Sequence, residues 1–381
     1  MRPRVYFYCR DNPSAYQDDG VVLAEGLREL GVEVFGNCRY WRRAPDREEW
    51  LIEPDRRIGP DDCDIVAVSY GWSRWIDREF RAHESPLPDG LFKSGRRYRT
   101  VYLDLEDGYA TCSWRPEYRQ FDVVLRAKYN RRCFHPANHR PWALALNRRV
   151  LQATATTPPW AGRRPELLVN FNASHPYIHS ARALMEEKFT PAAARHFTIN
   201  RDRDNLREPP AEPYERLMWA QTQQRHCRAY YDRLCSAQAV AAFCGELIPA
   251  APFQPDYLVG GRRARLRRWW YEVADRFDPR PRRLIQWDSW RFWEALAAGC
   301  LVFNFDLPHY GVVLPVMPAD FVHYVAVRPD NAVAVLARLA AEPGRAEQIA
   351  AQGRAWALAH YAPRPLARRF LLELGFAPPP A

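Results

Sequence analysis

Lysine is almost missing from this chain. Lys93, Lys128 and Lys188 are the only three, so nearly all of its 55 basic residues are arginine. Set against 45 acidic residues they leave a formal net charge of +10. Arginine and alanine in place of lysine read as the bias of a GC-rich genome before they read as a function. A basic surface still favours anionic partners: nucleotide diphosphates, acidic lipids or nucleic acid. No polybasic tail or low-complexity arm is present, which argues against a dedicated nucleic-acid binder. No run of about 18 apolar residues occurs, so no membrane-spanning helix is expected. The opening Met-Arg-Pro-Arg-Val-Tyr-Phe-Tyr lacks the charged head, apolar middle and cleavage site of a signal peptide. The expected place is the cytoplasm, with the inner membrane face as a peripheral contact.

The nine cysteines form no C-x-x-C pair, which removes zinc-ribbon and redox-dithiol readings and leaves free thiols in a reducing compartment. No G-x-x-x-x-G-K-[ST] loop, G-x-S-x-G elbow or H-E-x-x-H helix is found, so the common NTPase, esterase and zincin readings fall away. Asp202-Arg-Asp204 has the D-x-D form of metal-dependent sugar transferases, but it stands in a polar loop without their surrounding pattern. It reads as coincidence, and no metal is expected.

What the chain does have is apolar material, 47% of 381 residues, enough for two or three domains at about 100–200 residues each. Strand-like runs alternate with helical patterns: Arg4–Cys9, a helix Gly20–Leu30 closed by Gly31, then Val32–Phe35, Asp64–Tyr70, Thr100–Leu105, Asp122–Ala127 and Trp142–Leu146. That alternation predicts a mostly parallel, doubly wound sheet. Residues 154–166, rich in Thr, Pro and Gly, read as an interdomain linker. The pattern then resumes with strands at Leu167–Phe171, His196–Ile199, Ala239–Phe243, Leu301–Phe305 and Val322–Val327. Helices are expected at Ala181–Lys188, Tyr214–Leu234, Leu258–Phe277 and Asp288–Ala298, with three more between Asn331 and Leu374. The division is 1–155, 165–350, and a helical tail 351–381 returning toward the first domain.

The most informative segment is Gln286-Trp-Asp-Ser-Trp-Arg-Phe-Trp-Glu-Ala-Leu-Ala-Ala-Gly-Cys-Leu-Val. Asp288 or Ser289 suits an N-cap, and Gly299 ends the helix. A helix N-terminus at the edge of a parallel sheet offers free amides and the positive dipole end to a phosphate. Ser289 adds a hydroxyl and Arg291 a charge. Glu294, on a helix otherwise faced with Ala and Leu, can accept from two ribose hydroxyls or pair with Arg291 at i,i+3.

Glu294-Ala-Leu-Ala-Ala-Gly-Cys-Leu-Val resembles the E-A-(L/M)-A-x-G-x-P-V signature of bacterial-type, group-1 glycosyltransferases of the GT-B class. Ser289-x-Arg291-x-x-Glu294 is similar to the donor-site motif of exostosin-like transferases. The resemblance implies an α/β fold of two facing Rossmann-like, doubly wound domains, with a nucleotide-sugar as substrate and no cofactor. It implies that Glu294 binds the donor ribose. Retaining group-1 enzymes often place a second glutamate eight positions upstream; here that position is Gln286, which can hydrogen-bond a sugar hydroxyl but carries no charge. The specific motif spans only residues 286–302.

Other candidates follow from position. Asp18-Asp19-Gly20 opens the first helix, and in such folds that turn faces the cleft: Asp19 is a candidate general base, or an N-cap. Asp104, Glu106 and Asp107 follow the fourth strand at its carboxyl edge; Asp107 is the second catalytic candidate, or a turn carboxylate before Gly108. Asn172, Ser174 and His175 follow the first strand of the second sheet and can meet the sugar or diphosphate, or cap the next helix. Arg262 and Arg263, after Gly260-Gly261, can clamp a diphosphate bidentately. Trp72, Trp287 and Trp290 can stack on sugar or base, or fill the core. The reading is a metal-independent glycosyltransferase acting on a glycan, lipid-linked or other hydroxyl acceptor. A phosphorylase or epimerase of the same shape, and a non-catalytic arginine-rich binder of nucleic acid or membranes, stay open beside it.

Overall fold

The computed structural model describes residues 3–12, 17–76, 82–106, 116–171, 180–202, 208–250, 266, 269–270 and 273–379. Six strands form the first sheet: β1 Arg4–Tyr8, β2 Glu33–Gly36, β3 Ile65–Ser69, β4 Arg99–Asp104, β5 Val123–Arg126 and β6 His139–Pro141. Their spatial order is β2-β1-β3-β4-β5-β6, every pairing parallel. Val5, Phe7, Ile65, Val66, Ala67 and Val68 show no exposed face, as expected of strands covered by helices on both sides. Helix α1, Asp18–Glu29, covers one side, and α2, Arg148–Ala153, closes the domain. Gly31 follows α1 at φ +70°, where its left-handed backbone lets the Val32 amide return to the Leu27 carbonyl at 2.9 Å.

The second sheet holds β7 Arg164–Leu168, β8 Thr198–Asn200, β9 Ala237–Ala241, β10 Leu301–Phe305 and β11 Val325–Val327. Its order, β8-β7-β9-β10-β11, repeats the first and is again parallel throughout. Around it lie α3 Ser180–Lys188, α4 Pro213–Gln221, α5 Arg228–Ser236, α6 Trp290–Ala297, α7 Ala332–Ala341 and α8 Arg345–Tyr361. The chain ends with α9, Pro363–Glu373, which packs on α1 of the first domain. Gly26 is the contact point: a Cβ there would overlap the Pro363 carbonyl and meet the Ala367 Cβ at 2.8 Å.

Three expectations need correction. Trp142–Leu146 is not a strand; the edge strand is His139–Pro141. Past Trp142, whose amide still bonds the Arg126 carbonyl of β5, the backbone leaves the sheet, and the amides of Leu144 and Leu146 go to Asp288 Oδ2 (2.9 Å) and the Tyr361 carbonyl (3.0 Å) in the second half. The expected long helix Tyr214–Leu234 is two, α4 and α5. Gln223 and Gln224 take positive φ, and Thr222 turns its hydroxyl back onto the Met218 carbonyl while accepting from the His226 amide. Leu167–Phe171 starts earlier than expected, at Arg164, so the connection between the sheets is shorter. The antiparallel pairs 40–42 with 50–52 and 246–248 with 283–285 carry too few residues to signal themselves by alternation.

Candidate functional site

In a sheet ordered 2-1-3-4-5, ligands bind outside the carboxyl ends of strands 1 and 3, where the connections part to opposite faces. This molecule has two such points.

In the second domain that point lies between β7 and β9. Asn170, just past β7, accepts from Arg291 Nε at 2.8 Å. Cys244, past β9, receives Arg182 Nη2 of α3 at 2.9 Å. Burial lowers the basicity of Arg291, and the positive charge of Arg182 lowers it further. Two guanidiniums thus share one sheet edge beside the first turn of α6. Gly245 (φ +95°) lets the β9 loop press on residues 285–287: any side chain there would overlap the Ile285 carbonyl. Gln286, itself at φ +53°, is half-buried against that contact.

At the head of α6, Ser289 is the N-cap residue but its hydroxyl makes no capping bond, and its buried Oγ has no partner among the described residues. Asp288 lies one residue outside the helix. Its Oδ2 takes the Leu144 amide and its Oδ1 takes Trp293 Nε1 at 2.6 Å, so it struts the two halves together. Burial pushes its carboxyl up to about 6. The Trp287 and Phe292 rings meet edge to face at 6.3 Å.

Glu294 does not pair with Arg291. Its Oε1 accepts from Tyr231 at 2.8 Å and its Oε2 from Tyr230 at 2.9 Å, both on α5. A carboxylate has about four lone-pair sites, so two remain for a ligand. Tyr231 also accepts from Arg149 Nη1 of α2 at 2.7 Å, and Arg149 Nη2 stands 3.6 Å from Asp18 Oδ2. Through these groups the edge of the second sheet reaches the edge of the first.

On that first edge the N-cap of α1 is Gln17, whose amide ties down the loop after β1 through Arg10 and Asn12. Neither Asp18 nor Asp19 caps by side chain. Asp18 is 2% exposed and burial raises it to about 6. Asp19 Oδ1 accepts from the adjacent Gly20 amide at 2.7 Å; its Oδ2 is buried with no partner among the described residues. Burial, reinforced by Asp18 and Asp104, holds Asp19 well above the usual carboxylate range. Asp104 forms a fully buried ion pair with Arg126, while Glu106 pairs with Arg74 at 2.9 Å.

Of the tryptophans, Trp287 is core. Trp290 lies under Arg225, 5.6 Å from its ring centre, and Trp72 under Arg10 at 5.0 Å. Asp107, Asn172, Ser174, His175, Asp204, Arg262 and Arg263 lie outside the described residues. Sequence reasoning missed Arg182, Arg149, Tyr230 and Tyr231. Nothing local marks them: they stand far along the chain from residues 286–302, and only the fold brings Tyr230 and Tyr231 to Glu294, Arg149 to Tyr231, and Arg182 to the edge that Arg291 shares.

No protein-family model matches the chain, and no curated protein does. Among solved structures it is similar to the glycosyltransferase AviGT4, involved in avilamycin A biosynthesis, at 16% identity over 98% of each chain, TM-score 0.46. It is similar to Anabaena Alr3699/HepE, solved with UDP and glucose, at 9% identity over 98% of this chain and 100% of that one, TM-score 0.46. It is also similar to an alpha-glucosyltransferase solved with UDP and a 13-mer DNA containing a central A:G mismatch. There identity is 9% over 98% of this chain and 99% of that one, with TM-score 0.51. This last likeness bears on the fold, and with the two parallel sheets it shows an α/β chain of the two-domain GT-B type.

Proposed function

We propose that the chain is a glycosyltransferase that moves a sugar from a nucleotide-sugar donor to a hydroxyl acceptor without a metal ion. The observation that carries this is the second switch point, where Arg182, Arg291 and the head of α6 gather beside Glu294. Two guanidiniums and free helix amides supply the positive charge that a departing diphosphate needs. Arg262 and Arg263 would add to it. Glu294 would accept from the ribose hydroxyls, Ser289 would donate to a phosphate oxygen, and Gln286, Asn172 and His175 would meet the sugar. On the facing edge Asp19 would take the acceptor proton through its Oδ2, which has no partner among the described residues, and Asp107 is the second candidate for that role. The similar alpha-glucosyltransferase is solved with UDP, which favours a uridine donor.

A thermal-shift series with UDP, GDP, ADP, CMP and dTDP sugars tests this, since a ligand of the native state raises its melting temperature. One nucleotide family is expected to stabilise the protein. Glu294→Gln should then lower its affinity roughly ten- to a hundred-fold and reduce discrimination of ribose from 2′-deoxyribose. No stabilisation by any donor, or a variant with the parent's full ribose preference, would sink the assignment.

The acceptor side has its own clue. Leu266, Trp269, Trp270 and Phe277 are 60%, 55%, 59% and 83% exposed, at helical spacing, in a segment that also carries Arg262, Arg263, Arg265, Arg267 and Arg268. Apolar and indole groups beside arginines suit the interface of an anionic bilayer, and hence a lipid-linked acceptor.

A further inference from the structure

The side chains between the two switch points form one ordered chain of hydrogen bonds, and its direction is set by chemistry alone. A guanidinium only donates and an ionised carboxylate only accepts. Tyr231, with a single hydrogen, therefore accepts from Arg149 (2.7 Å) and donates to Glu294 (2.8 Å). Arg149 Nη1 also donates to His226 Nδ1 at 3.1 Å, so the imidazole hydrogen sits on Nε2, which meets Glu215 Oε2 at 2.7 Å. Burial keeps His226 below its ordinary pKa, which agrees with this neutral tautomer. The members are interior: Tyr231 is 0% exposed, His226 1%, Asp18 2% and Arg149 4%. Arg149 and Asp18 belong to the first domain; Tyr231, His226, Glu215 and Glu294 belong to the second.

Buried polar groups of this number are expensive, and an apolar cluster would serve packing better. What the chain does is hold one carboxylate. With a phenol on each oxygen, Glu294 cannot rotate, and its two remaining acceptor sites are presented in a set direction. We propose that Tyr230 and Tyr231 are positioning residues that preorganise Glu294 for the donor ribose, and that Arg149 anchors this arrangement to the acceptor domain. The proposal rests on Glu294 being the donor residue. Preorganisation of this kind raises affinity by removing the entropy otherwise lost on binding.

Calorimetric titration of Tyr231→Phe with UDP and with 2′-deoxy-UDP provides the test. Phenylalanine keeps the ring and removes both hydrogen bonds. UDP affinity should fall on the order of ten-fold, and the preference for ribose should shrink, because the loss is expressed through ribose. Arg149→Lys in the Tyr231→Phe background should remove no further ribose preference, since the two residues act in one chain. Tyr230→Phe, which deletes only the outer phenol, should give the same signature more weakly and serves should the first variant fold poorly. Equal losses for both nucleotides, or unchanged ribose preference in both variants, overturn the positioning role and leave the donor site standing. A parent protein that binds no nucleotide overturns both.

Discussion

Glu25 carries its proton into the neutral range. It lies on the buried side of α1, 6% exposed, with Oε2 accepting from the Arg148 amide at 2.8 Å, and burial pushes its carboxyl up to about 8. The folded pKa stands above the unfolded value of 4.5. Its contribution to stability is therefore fully present below about pH 4.5 and is lost as pH rises through 8. Glu25→Gln keeps the acceptor for Arg148 and removes the titration. Calorimetry should show the variant melting roughly 3–8 °C above the parent at pH 9, with the gap closing toward pH 5. A gap independent of pH would mean that Glu25 is ionised throughout. Sequence patterning had no hold on this residue, because a glutamate on a helix reads as a solvated face until a second helix is laid over it. The same holds for Tyr230 and Tyr231. Glu294 could be singled out because its flanking residues form a recognisable local pattern, whereas its partners come from another helix.

Among the elements, hydrophobic periodicity placed the strands of the first sheet up to Arg126 and Leu301–Phe305 to within a residue or two, set β7 three residues too late, and failed where the backbone bonds elsewhere. Trp142–Leu146 is apolar enough to be a strand, but the amides of Leu144 and Leu146 go to Asp288 and Tyr361. The return of the helical tail toward the first domain was expected, but its contact point on α1 was hidden, since that depends on one missing Cβ. Gly26→Ala in an exposed helix interior would stabilise by up to about 1 kcal/mol. Here the added methyl meets the Pro363 backbone, so the sign should reverse to a loss of about 1–3 kcal/mol in urea unfolding. A stabilised variant would show that α9 does not rest on α1 in solution.

At the scale of the whole molecule the alternation of strand and helix was legible, while the strand order of each sheet, and so the two switch points, was not: order is decided by packing between distant segments. The net charge of +10 was legible too, and the exposed Trp269 and Trp270 give it a direction. The protein should float with vesicles containing phosphatidylglycerol, but not with phosphatidylcholine alone. Trp269→Ala with Trp270→Ala should cut that binding on the order of ten-fold or more, as each large side chain withdrawn from the interface is worth about 1.5–3 kcal/mol. Equal flotation of parent and variant would remove the membrane from the reading.

The halves of the molecule are joined by more than the connection between β6 and β7. Near Asn130, the Arg131 amide bonds the Gly311 carbonyl and the Val313 amide bonds Tyr129, while the Asn130 amide group spans the Leu284 and Tyr310 carbonyls at 2.9 Å each. A second fastening is made by Leu144 and Leu146. A rigid body held at two points keeps one rotation, about the line through them. The packing of α9 on α1, the paired bonds of Gln221 with Arg42 and the bond of Arg149 to Tyr231 add further fastenings, so a rotation about that line would stretch whichever of these lie off it.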